Sequence, residues 1–392
     1  MKSARPSDPP PSAAEPAASE PIPLIDLAAQ HQQVGSALRQ AFERVLDSQS
    51  FILGPEVSAF EDEVARFIGV PHALGISSGT DALLLALMAL EIGPGDEVIV
   101  PAFSFFATAG CVARLGARPV FVDIELSTFN LDLAQVAARI GPRTRAIIPV
   151  HLYGQTCDLQ GLRSLATERG LAIVEDAAQA LGAGAGELRA GAVGQFGCFS
   201  FFPTKNLGAL GDAGLLTTGD AQLAKRARLL RAHGAEPKYY HALVGGNFRL
   251  DALQAAFLRA KLPYLPAWNA ARRQNAARYD RAFAQAALPE SVLCAPAQVQ
   301  PGHVYHQYVI RTPHRAALQA HLREQHIGSE VYYPVPLHLQ ACFAYLGEGP
   351  GSHPCAERAA EQALALPIYP ELTPAQVERV ASISVDFLRN RG

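Results

Sequence analysis

From residue 21 onward the chain alternates short, β-rich apolar runs with longer segments of helical length. The runs fall at 73–77, 97–100, 119–122, 146–150, 171–174, 197–201 and 214–218. Ala- and Leu-rich stretches such as 81–91 and 158–169 separate most of them. Strands joined through helices require crossover connections, so the pattern predicts an α/β domain built on a mostly parallel sheet of these seven strands. Past Pro263 the character changes. A helix over 268–286, a strand over 305–311, a helix over 315–326 and a Pro-rich stretch over 332–337 predict a second, smaller α+β domain. The expected organisation is a flexible Pro/Ala-rich tail over 1–20, a large domain over 21–262 and a small C-terminal domain over 263–392. The tail reading rests on MKSARPSDPPPSAAEPAASE, whose Pro, Ala and Ser cannot bury enough apolar surface to offset the entropy of ordering.

Composition narrows the function classes. With 392 residues, 49% hydrophobic and 18% charged, the chain has a globular balance and the length of about two domains. A net charge of -3, from 33 Lys+Arg against 36 Asp+Glu, offers no basic field for nucleic acid or an anionic membrane. The longest apolar run, 82–90, is far short of the ~20 residues that a membrane-spanning helix needs. The N-terminus lacks the charged start and apolar stretch of a secretory signal. The six cysteines include no CxxC pair, which points to reduced thiols in a cytoplasmic protein, with neither a zinc ribbon nor a disulfide framework.

In parallel α/β sheets the ligand lies beyond the carboxyl ends of the strands, so the residues after each run carry the candidate chemistry. After 73–76 comes Ser77-Ser78-Gly79-Thr80-Asp81, ahead of a long apolar helix. Capping residues with a glycine at a helix N-terminus suit a phosphate, though a plain N-cap has the same appearance. After 171–174 comes Glu175-Asp176-Ala177-Ala178-Gln179. Two acids at a strand end suit a metal, a base or a partner for a protonated heterocycle, and equally a solvated loop. After 197–201 comes Phe202-Pro203-Thr204-Lys205-Asn206-Leu207-Gly208. A lysine between an apolar strand and a Gly-containing turn is placed for desolvation, which favours the neutral, nucleophilic amine. The order of cradle, acid and lysine matches the needs of pyridoxal 5'-phosphate: an anchor for the phosphate, an acid for the pyridine nitrogen and an amine for the aldehyde.

With these motifs in place the sequence resembles the DegT/StrS-type nucleotide-sugar aminotransferases, fold-type I enzymes that use pyridoxal phosphate. The matching segments are FILGPEVSAFE (51–61), SSGTDAL (77–83), GPGDEVIVPAFSFFATA (93–109), HLYGQ (151–155), EDAAQALGA (175–183), FSFFPTKNLGALGDAG (199–214), GGNFRLDALQAA (245–256) and YYPVPLHLQ (332–340). The resemblance implies that Lys205 carries the cofactor and moves the proton, and that Asp176 pairs with the pyridine nitrogen. It implies that Gln179 lies near the ring hydroxyl, that Phe105 stacks on the ring, and that Gly79, Thr80 and Ser200 bind the phosphate. Asn247 of the partner subunit would reach the same phosphate in a homodimer. Arg249, Tyr332, Tyr333 and His338 are implied as substrate-binding, and His151 ends its strand near the cofactor or merely in a hydrogen bond. His353 and Cys355 have no neighbouring ligands in sequence and are assigned no site, and no metal is expected.

Some relatives that act on uronic-acid sugars have a histidine where Tyr332 stands, so the resemblance does not extend to a sugar carboxylate there. Relatives that dehydrate replace the lysine by histidine, and this chain keeps Lys205. The implied reaction is amino transfer from L-glutamate to a nucleotide-linked keto-sugar, with the YPVPLHLQ segment leaning to a 3-keto substrate over a C4 ketone. The alternatives are another pyridoxal-phosphate reaction, a regulator that binds the cofactor without turnover, and a dinucleotide-dependent oxidoreductase. Against the last, no GxGxxG turn follows the first strand.

Overall fold

The computed structural model describes residues 20–391. Positions 1–19 of the expected tail lie outside the described residues. The central sheet is formed by β1 (His72–Ile76), β2 (Glu97–Pro101), β3 (Arg118–Val122), β4 (Thr144–Ile147) and β5 (Ala172–Asp176), joined by β8 (Phe196–Ser200) and β9 (Gly214–Thr218). Between β5 and β8 a short hairpin comprises β6 (Gly184–Ala185) and β7 (Leu188–Arg189). The seven strands lie in the order β1-β9-β8-β5-β4-β2-β3. Only β9 runs against its neighbours, and every other adjacent pair is parallel. All seven apolar runs became strands of this one sheet.

Successive strand residues face opposite sides of a sheet, and the burial pattern follows that rule. Leu74, Ile76, Val98, Val100, Val174, Phe196 and Leu216 enter one core, into which helix Gly79–Ala89 also packs. Ala73, Phe199 and Leu215 enter a second, beneath helices Leu27–Ser48, Pro55–Ile68 and Ala252–Lys261. Ile99, Ile147 and Ile173 meet helix Leu159–Arg169 on that second side. With both faces covered, a fully buried Leu, Ile or Phe contributes about 1.5–3 kcal/mol.

The expected strand over 146–150 is shorter in the structure. Pro149 has no N–H, so the ladder of β4 ends at Ile147 and contact with β5 resumes only as a bridge between Val150 and Asp176. The expected strand over 305–311 begins three residues late. Tyr305 adopts a left-handed φ of 44° and His306 turns into the interior, so β10 spans Tyr308–Arg311 and pairs with β11 (Ala363–Leu366).

The β10–β11 pair and helices Leu265–Ala286, Arg315–Glu324 and Pro374–Arg389 enclose a separate core around Tyr279, Tyr308, Ile310 and Leu364. Two features tie it to the large sheet. Helix Leu265–Ala286 begins in the large core with Leu265 and Trp268 and ends in the small one with Tyr279 and Phe283. Ile22 pairs with Ile327 and is buried in the small core, although it precedes the first helix.

Candidate active site

At the carboxyl ends of β1, β5 and β8 lies a cavity of about 450 Å³. The wall includes Gly79, Thr80, Phe105, Asp176, Gln179, Ser200, Lys205, Tyr332 and Tyr333, nine of the twelve residues named from sequence. A wider surface groove of about 630 Å³, between helices Leu27–Ser48 and Ala252–Lys261, contains none of these groups.

The cradle forms where β1 passes into helix Gly79–Ala89. Ser78 caps the helix by accepting the Asp81 N–H at 3.0 Å, and Ser77 Oγ donates to the Asp81 carboxylate at 2.6 Å. The N–H groups of Gly79 and Thr80 have no hydrogen-bond partner among the described residues and lie at the positive end of the helix dipole. A Cβ on Gly79 would stand 2.7 Å from Ser200 Cβ, so only glycine lets the helix start and the end of β8 close on one small anion.

The two acids at the end of β5 point in opposite directions. Glu175 shares the side of Ile173 and is fully buried. Its carboxylate accepts the N–H groups of Gly191, Val193 and Gly194 at 2.7–2.8 Å and contacts His151 Nε2 at 2.9 Å. Asp176 shares the side of Val174 and faces the cavity. It accepts Thr108 Oγ1–H at 2.7 Å, itself 3.1 Å from Ser104 Oγ, and the Ala178 N–H at 3.3 Å. Burial pushes its carboxyl pKa up, and the Thr108 and Ala178 hydrogen bonds and the charges of Lys205 and His151 oppose that rise. His151 is therefore a partner of Glu175 behind the cavity and does not line it.

Lys205 sits in a tight turn that leaves β8. Lys205 N–H donates to Phe202 O at 2.8 Å, Ala209 N–H to Phe201 O at 2.8 Å, and the buried Lys261 Nζ holds Gly208 O at 2.8 Å. Burial lowers the Lys205 pKa to about 8, with Asp176 acting in the opposite direction. Its amine makes no hydrogen bond among the described residues. A buried carboxylate with few donors, an amine inclined to neutrality and a glycine-lined helix start with free N–H groups together suit a cofactor with a protonated ring, an aldehyde and a phosphate.

Of the three phenylalanines in PAFSFFAT, Phe105 alone lines the cavity. It is 55% exposed, with its ring 6.1 Å from that of Tyr333. Phe103 is buried in the core and Phe106 stacks on Phe343. Gln179 accepts the Tyr153 N–H at 2.7 Å and donates to Tyr333 Oη at 3.3 Å, while Tyr153 Oη donates to Tyr332 O. Burial raises the hydroxyl pKa of Tyr333.

Three named residues stand elsewhere. His338 is a correction. Pro334 and Pro336 redirect the chain into a short 3-10 helix, Leu337–Leu339, and the imidazole is buried against His353, 3.1 Å from Glu357. Asn247 is exposed and lies outside this chain's own cavity wall. Arg249 pairs by its backbone with Ile76 beside the cradle without lining the cavity. The structure adds Ser104, Thr204, Asp212, His306 and Gln307 to the wall, and Thr108 behind Asp176. Ser104 and Thr108 sit inside the quoted PAFSFFATA run and Thr204 and Asp212 inside FSFFPTKNLGALGDAG, whereas no local signal marks His306 and Gln307.

Residues 32–384 match the model of the DegT/DnrJ/EryC1/StrS aminotransferase family. A "pleiotropic regulatory protein" of Geobacillus stearothermophilus is 47% identical over 94% of this chain and 99% of its own. A UDP-N-acetyl-3-dehydro-α-D-glucosamine 3-aminotransferase of Acidithiobacillus ferrooxidans is 46% identical over 92% of this chain and 96% of its own. Among solved structures, DesV of S. venezuelae, in complex with a ketimine intermediate, superposes with a TM-score of 0.91 at 43% identity, covering 94% of this chain and 99% of that one. Matching structures contain the cofactor in its PLP and PMP forms, and the cofactor of this chain is pyridoxal phosphate. With its cavity built around Lys205 and Asp176, the chain belongs to the DegT/DnrJ/EryC1/StrS aminotransferase family.

Proposed function

We propose that the chain transfers an amino group from L-glutamate to the ketone of a nucleotide-linked sugar, with C3 as the reacting carbon. The observation that carries this reading is the placing of Lys205 and Asp176 in one cavity with the Gly79–Ser200 cradle. The 3-keto assignment is supported by the 46% identity to an enzyme named as a 3-aminotransferase of a 3-dehydro sugar.

Pyridoxal phosphate, when bound, supplies an electron sink that carries the amino group from donor to acceptor. The Gly79 and Thr80 N–H groups and Ser200 Oγ hold its phosphate, and Asp176 keeps its ring nitrogen protonated. Thr108 orients the Asp176 carboxylate by donating to Oδ2. Lys205 Nζ would hold the cofactor through its aldehyde, and as a free amine it would take and return the proton at the substrate carbon. A lysine with a pKa of about 8 exists as both amine and ammonium near neutral pH, as a group that acts as base and then as acid requires. Phe105 covers the ring, and Tyr332 and Tyr333 meet the sugar. Asn247 and Arg249, which do not line their own cavity, serve that of a second copy, so the working unit is a homodimer.

The test is an absorption spectrum of the purified chain beside Lys205→Ala, before and after L-glutamate, followed by UDP- and dTDP-linked 3-keto and 4-keto sugars. The reading expects a yellow band in the wild type that glutamate bleaches and a 3-keto sugar restores. A band indifferent to glutamate refutes the donor, and amino product at C4 refutes the regiochemistry. Without a band after pyridoxal phosphate is supplied, the catalytic assignment of Lys205 fails.

A further inference from the structure

His306 lines the same cavity as Lys205 yet has no part in the reading above. Its surroundings determine which ring nitrogen carries the proton. The carbonyl oxygens of Leu181 and Val304 can only accept hydrogen bonds. Asn269 Nδ2 donates to Leu181 O at 3.1 Å, which leaves Asn269 Oδ1 as an acceptor. Asn206 Nδ2 donates to that oxygen at 2.8 Å and to Val304 O at 3.0 Å, so both amide protons are used and Asn206 Oδ1 can only accept. His306 Nδ1 lies 3.2 Å from Asn206 Oδ1 and must be the N–H of the pair. Burial and the charges of Lys205 and Arg272 disfavour a second proton, pushing the imidazole pKa well below its usual value. Nε2 is then a bare lone pair with no donor among the described residues. In the same cavity the Lys205 amine is a donor with no acceptor.

We propose that His306 is a tautomer-locked positioning residue whose Nε2 accepts a hydrogen bond from the Lys205 amine when the lysine side chain, unpartnered here, turns towards it across the cavity. Lys205 and Asn206 are consecutive in the turn after β8, so one turn presents the amine and, through Asn206, orients the ring that receives it. The hydrogen bond supports the ammonium form and aims the amine within the cavity. The other ionisable groups around the pair are Asp176 at the end of β5, Asp212, Tyr332 and Tyr333 in the cavity wall, and Arg272, whose guanidinium donates to Tyr305 O at 3.1 Å and His306 O at 3.4 Å. The inference rests on the proposed role of Lys205, but its test reads no turnover.

In 15N-histidine spectra of the full chain freed of cofactor, with His306→Asn to assign the signal, His306 is expected neutral at pH 7, protonated at Nδ1 and bare at Nε2. Lys205→Met is expected to move the Nε2 resonance towards that of an acceptor without a donor. An imidazolium, a proton on Nε2, or a resonance indifferent to Lys205→Met overturns the proposal. A second measurement follows acylation of Lys205 against pH. His306→Asn can keep the inner bond, its amide nitrogen standing where Nδ1 stood, while it removes the cavity acceptor. The midpoint is expected to fall by about one pH unit, a tenfold loss of proton affinity. An unchanged or raised midpoint overturns the proposal. Should the Lys205→Ala protein retain a covalently held cofactor, the assignment of Lys205 fails while both readouts on His306 stand.

Discussion

Glu175 and Asp176 are neighbours on one strand, both buried, and their surroundings could hardly differ more. Glu175 is saturated: three backbone N–H groups and an imidazole surround its two oxygens. Asp176 has one hydroxyl and one long amide contact, and it faces a cavity across which Lys205 has no hydrogen bond. The pleat alone separates them. A fully satisfied buried charge fastens loops together, whereas an under-satisfied one is held ready for a partner that arrives later.

Removing the saturated acid should have the largest effect. Glu175→Ala orphans three N–H groups and His151, and is expected to lower the unfolding free energy by about 3–5 kcal/mol in urea titrations. On the cavity side the sign should reverse. Lys205→Met is expected to stabilise the cofactor-free chain at pH 7, by up to about 3 kcal/mol. Below pH about 8 both folded and unfolded wild-type chains hold the lysine proton, and the fold carries the whole desolvation penalty. Between about 8 and 10.5 only the unfolded chain still holds it, so wild-type stability climbs. Thermal melts should show the advantage of Lys205→Met fading across that window, and a constant advantage would contradict the burial of the amine.

Gly79→Ala tests the cradle. The 2.7 Å approach of the new Cβ to Ser200 is expected to cost about 1–3 kcal/mol and to weaken titrated pyridoxal phosphate binding. Asp176→Asn should be the mildest, because the Asn oxygen can still accept from Thr108. Its gain in cofactor-free stability should be present at neutral pH and vanish below pH 3.8, where the wild-type carboxyl is protonated folded and unfolded alike. Melts in which Asp176→Asn is destabilised at pH 7 would break the contrast between the two acids.

What could be read in advance follows the same division. The sheet was legible because each strand is an apolar run, and Asp176, Lys205 and Gly79 were legible because they directly follow such runs. The different duties of Glu175 and Asp176 depend on which way the pleat points, and the two adjacent letters do not say. His306 was hidden because its orientation comes from Asn206 and Asn269, 100 and 37 residues away. His338 misled because it shares a segment with Tyr332 and Tyr333, and the prolines between them turn it elsewhere.

The pairing of Ile22 with Ile327 has a consequence for how the molecule is made. On the ribosome, the segment around Ile22 emerges long before Ile327, the residue that it must pair with, has been made. Closing a loop of 305 residues is entropically slow, so the large sheet can assemble while residues near Ile22 wait, unpaired. Completion of the small core thus waits for residues from Ile327 onward, and a nascent chain halted before Ile327 should display the Ile22 segment to proteases that the folded chain resists.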